Sequence, residues 1–110
     1  MSFALSPYFR EAKPLAQRAT AAAGIGASYT LVGSLFGEGV VTIIIVSTLD
    51  ENVQISLDGT TDFMPMIAGA TFVLDIKANQ VALSGYRGVY VKEIGNPTTG
   101  SLYVSAIGVE

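Results

Sequence analysis

The chain has 110 residues, half of them hydrophobic and only 14% charged, against roughly 25% in an ordinary soluble domain. That length suits one core, but the few charges coat a lone globule poorly, so composition predicts a subunit with part of its surface buried against others. Cys, His and Trp are absent, which excludes disulfides, thiolate or imidazole metal ligation and the His-based serine triad.

Residues 1–28 read as an N-terminal arm. Pro7 and Pro14 interrupt it, and Phe3, Leu5, Tyr8 and Phe9 make it too apolar for a linker held only by solvent. These four are candidate protein-contact residues. After Pro14, LAQRATAAA either forms about two helical turns ended by Gly24 and Gly26 or runs extended along a neighbouring surface. Residues 1–27 carry a net charge of +2 and the remainder −5. Arg10 and Lys13 are therefore expected to dock on an acidic neighbour, another copy included, and the acidic body argues against nucleic-acid binding. Cations and Pro14 stand before the Ala-rich 19–27 where a signal peptide needs an apolar core, so neither a leader nor a membrane anchor is expected.

From residue 29 to 110 the text is β. Strands are predicted at 29–35, 40–48, 53–58, 62–66, 71–77, 80–84, 88–94 and 101–107, with clean alternation at Val53, Ile55, Leu57 and at Phe72, Leu74, Ile76. Asp50-Glu51-Asn52, Asp58-Gly59 and Ala68-Gly69 mark turns, and Asn96 to Gly100 reads as the last hairpin loop. Pro65 places the fourth strand at an edge. About eight short strands spaced near ten residues predict an antiparallel β-sandwich or jelly roll.

The run VVTIIIVSTL (40–49) does not alternate. Val41, Ile43 and Ile45 would face one way, and Val40, Ile44 and Val46 the other, so both faces are apolar. Exposed on an open sheet, such a run invites aggregation. A central strand with a covered outer face is expected, with Ile44 and Val46 as contact residues. The cover is the arm, a second subunit or a larger assembly.

Reactive constellations are missing. Lys77 and Lys92 lack a serine motif, and the glycine-rich pieces match no phosphate loop. Asp58 and Asp62 bracket a turn without the spacing of a calcium loop, which a structural turn explains. Tyr86, Tyr90 and Lys92 would share a strand face with Arg87 opposite, a weak nucleic-acid platform. Elimination leaves a protein that is not an enzyme and needs no cofactor or metal.

An arm leading into SYTLVGSL, VQISLDGTTDFMPM, TFVLDIKANQ and GSLYVSAIG resembles small virion proteins of tailed bacteriophages. The matching positions are Ile55 to Gly59, Asp62-Phe63 and Asp75. In length and strand content the chain is similar to the jelly-roll cement or staple proteins that decorate the capsids of short-tailed phages, the epsilon fifteen type. The resemblance implies a place on the capsid exterior, the major coat protein as partner, pairing with further copies as dimers or other oligomers, and no contact with nucleic acid or membrane. It carries over no catalytic residues. Two other readings stay open: a head–tail connector or collar ring, separated from the shell by copy number, and a carbohydrate- or metal-binding β module working through Asp58, Asp62 and Tyr86.

Overall fold

The computed structural model describes residues 12–75 and 87–109. Within them the strands are β1 (Ala12–Pro14), β2 (Arg18–Ala21), β3 (Thr30–Leu31), β4 (Val40–Ser47), β5 (Val53–Ser56), β6 (Met64–Met66), β7 (Thr71–Asp75), β8 (Tyr90–Glu93) and β9 (Ser101–Val109). They form two antiparallel sheets. The first runs β1–β9–β4–β7, with β2 also on β9, and the second runs β3–β8–β5–β6.

The pairing has a simple origin. β2 pairs with β9, β3 with β8, β4 with β7 and β5 with β6, as in one long hairpin whose tip lies between β5 and β6. Rolling that hairpin adds the β4–β9 and β5–β8 ladders and sends the strands of each arm, β2 to β5 and β6 to β9, alternately into the two sheets. This is a jelly-roll β-sandwich, the fold that the strand spacing predicted. The predicted strand at 80–84 lies outside the described residues.

Rolling also corrects one expectation. Asn96 to Gly100 is not a hairpin loop, because it carries the chain from β8 in the second sheet to β9 in the first. Turn residues mark where a strand ends, and a crossing between sheets ends a strand as surely as a hairpin does. Asp50, at the crossing from β4 to β5, clamps this loop by accepting bonds from Thr98 Oγ1 at 2.7 Å, Thr98 N at 2.9 Å and Thr99 N at 3.2 Å. The Thr98 hydroxyl, followed by the two amides, lowers the Asp50 pKa to about 2. Gly100, at φ +88°, lies where any Cβ would collide with the Thr48 carbonyl.

The stretch after Pro14 takes the extended alternative, on its own sheet. β1 and β2 lie along β9, Leu15 N donates to Ala106 O at 3.0 Å, and only Ala22–Gly24 coil into a 3-10 turn. Two helical turns alone are unstable, whereas the edge of β9 offers a row of partners. Arg18 locks the segment in place. Its guanidinium donates to Ala16 O at 2.7 Å, Leu35 O at 2.8 Å and Ser34 O at 2.9 Å, and stacks 5.2 Å from the Phe36 ring centre. Ala22 and Ile25 enter the core, so residues 12–25 are part of the sandwich.

The core lies between the inner faces. Ile43, Ile45, Leu102, Val104 and Ala106 come from the first sheet, and Val53, Ile55, Met66, Val89 and Val91 from the second. The predicted strand at 29–35 shortens to two residues, after which Val32 N still bonds Val89 O and Phe36 N bonds Arg87 O. Pro65 does lie on an edge strand, since β6 ends the second sheet.

Candidate interaction surface

The register between β4 and β9 shifts between Val40 and Thr42, which is a β-bulge. The extra residue moves Val40 into the core, fully buried, although simple alternation placed it with Ile44 and Val46. Beyond the bulge, Ile43, Ile45 and Ser47 face inward while Thr42, Ile44 and Val46 face out.

Cross-strand partners extend this outer face into a lattice. Ala19, Tyr103, Val46 and Thr71 form one row, and Ser105, Ile44 and Val73 the next. Pro14, Ile107, Thr42 and Asp75 form a third. Asp75 is the sole charged residue among them. Ile44, Val46, Tyr103 and Ile107 are half-buried by their neighbours, and Val73 is 56% exposed. No described element covers them.

The second sheet is treated differently. Ser56 occupies an outward position beside Tyr90, yet it is wholly buried. The reason is the 57–62 loop, which folds back over it. Ser56 Oγ accepts from Gly59 N at 2.9 Å and donates to Asp58 Oδ1 at 2.9 Å. Gly59, at φ +87°, sits against the Tyr90 ring with no room for a larger residue to settle unstrained. Asp58 caps the loop, accepting from Thr61 N at 2.7 Å, Thr60 N at 2.9 Å and Thr61 Oγ1 at 2.8 Å. The Thr61 and Thr60 amides, more than any other cause, hold its carboxyl far below the ordinary range.

Asp62 pins the far end. It accepts a short hydrogen bond from the Tyr29 hydroxyl and an ion pair from Lys92 at 3.3 Å, and the Lys92 ammonium stands 4.6 Å from the Tyr29 ring centre. Burial first, then the bond to Asp62, raises the Tyr29 pKa to about 12. Asp58 and Asp62 therefore have protein partners. Among the described residues no group of three His, Cys, Asp or Glu side chains could hold a metal ion. Tyr90 and Lys92 share an outward face as expected, but the loop covers the one and Asp62 engages the other.

Of the expected contact residues, Ile44 and Val46 sit side by side on the open face. Lys13 stands at the edge of the same sheet, paired with Glu38 at 3.2 Å. Phe3, Leu5, Tyr8, Phe9, Arg10 and Tyr86 lie outside the described residues. Sequence reasoning missed Tyr103, Val73 and Ile107. Part of their signal was present, since SLYVSAI sets Tyr103 and Ile107 in the phase opposite to Leu102, Val104 and Ala106, but Ser101 and Ser105 share that phase and a single strand does not reveal which neighbours share its face. Comparison with known protein families, curated proteins and solved structures gives no match.

Proposed function

We propose that this chain is a non-enzymatic capsid decoration protein of a bacteriophage, which seats the outer face of its first sheet on coat subunits and stiffens the shell they form. One observation supports this reading most: Ile44, Val46, Val73, Tyr103 and Ile107 gather on one outer face, interspersed with the uncharged Thr42, Thr71 and Ser105, while the opposite sheet covers part of itself. Covering Val73 completely contributes about 1 kcal/mol, so one copy gains little from any single contact. Repeated contacts at high effective concentration become strong together. The virion setting itself rests on the resemblance of the strand text.

The test uses capsids assembled without this protein. Wild-type chain is expected to bind them and raise the temperature at which they break open. The double variant Ile44→Lys, Val46→Lys is expected to keep its circular dichroism and lose at least about tenfold in affinity, because each ammonium would be desolvated against an apolar partner. Undiminished binding by the folded variant would refute the reading.

A further inference from the structure

On the second sheet, we infer that the cleft between the 57–63 loop and Arg87 binds a neutral saccharide residue. This site is separate from the open face of the first sheet and does not depend on what that face binds. The cleft has a volume of about 210 Å³ and is lined by Leu57, Asp58, Thr61, Phe63 and Arg87.

Three groups in it match the chemistry of a sugar. Phe63 is 43% exposed, and its ring is held edge-on to Phe72 at 6.3 Å between centres. A fixed, half-open aromatic ring is a surface for the C–H face of a pyranose. Arg87 supplies donors. Of the four described cations, Lys13 pairs with Glu38, Arg18 with three carbonyls and Lys92 with Asp62, whereas the Arg87 side chain has no partner among the described residues.

Asp58 supplies the acceptor. Among the described residues, its Oδ1 is filled by Ser56, Thr60 and Thr61, while Oδ2 accepts only from Thr61 Oγ1, which leaves one lone pair of that oxygen unused by them. A sugar hydroxyl can donate to Oδ2 while a neighbouring hydroxyl accepts from Arg87.

Charge decides against an ionic ligand. Asp58 and Arg87 carry opposite charges, so an anion or cation drawn to one is repelled by the other, whereas a neutral polyol is repelled by neither and can offset their partial desolvation with hydrogen bonds. The volume lies below the roughly 300–1,000 Å³ of sites for drug-sized ligands, which fits one sugar residue. The hydrogen bonds of Asp58 already order the loop, so binding need not organise it.

The experiment is an amide NMR titration of the full chain with glucose, galactose, mannose and N-acetylglucosamine over about 1–50 mM, the range a millimolar dissociation constant requires. At least one sugar is expected to shift amides within 57–63 and at Arg87, leaving Leu102 to Ala106 unmoved. Phe63→Ala and Arg87→Ala should each weaken that response by about fivefold or more without changing the spectrum of the core. Sodium acetate and ethylammonium chloride serve as charged controls and should shift these amides less. The inference is overturned if no sugar moves these amides, if acetate moves them as much as the best sugar, or if the response survives both substitutions.

Discussion

The two outer faces of the sandwich are built from the same kind of strand and end in opposite conditions. On the second sheet, Ser56 is buried because the loop after it returns across Tyr90, tied down by Asp58 at one end and Asp62 at the other. On the first sheet, Ile44 and Val73 face outward side by side with nothing described above them. Polar side chains close one face from within. Apolar side chains line the other, and no described element covers it.

Neighbouring isoleucines of β4 give the largest test of that difference. Ile45→Ala, in the core, is expected to cost about 2–5 kcal/mol in urea unfolding, through lost burial and the cavity left behind. Ile44→Ala, on the open face, should cost about 1 kcal/mol or less in the isolated chain and show its main effect in association. Equal costs would mean that the outer face is already covered within one molecule.

A smaller effect separates the faces by pH. The folded pKa values of Asp50, Asp58 and Asp62 are lowered, so their contribution is complete above the unfolded value near 4 and is lost as pH falls through the folded values, down to about 2 for Asp50. Tyr29 is raised to about 12, so its contribution is complete below 10 and disappears as pH rises through 12. Hydrogen exchange should show the 57–62 loop opening towards both extremes before the β4–β9 ladder does. Simultaneous loss in both sheets would break the contrast.

The smallest effect is at the edge. Lys13→Ala removes an exposed ion pair with Glu38 and is expected to change stability by no more than about 0.5 kcal/mol. A larger loss would show that the β1 edge depends on that pair.

Much of this was legible. The alternation of Val53 with Ile55 and of Phe72 with Leu74 located strands, Pro65 located an edge, and Asp58-Gly59 located the loop that covers Ser56. The doubly apolar 40–49 run marked a central strand with Ile44 and Val46 outward, and that is their position. The partners of Asp62 were not legible, because Tyr29 and Lys92 are far from it in sequence and meet it only when the hairpin has rolled up. Arg18 gave no sign of its role either, since its three carbonyl acceptors declare themselves only once β2 lies along β9.

By itself the sequence determined the β class, most of the strand positions after residue 39 and the surplus of apolar surface, because side-chain periodicity and turn chemistry act over a few residues; β1 and β2 it left as an arm. Only the tertiary structure decided which part of that surplus is gathered on one face. The bulge at Val41 turns Val40 inward, and long-range pairing sets Tyr103, Val73 and Ile107 beside Ile44 and Val46. A strand's two faces are equivalent until its neighbours and its partner sheet are in place.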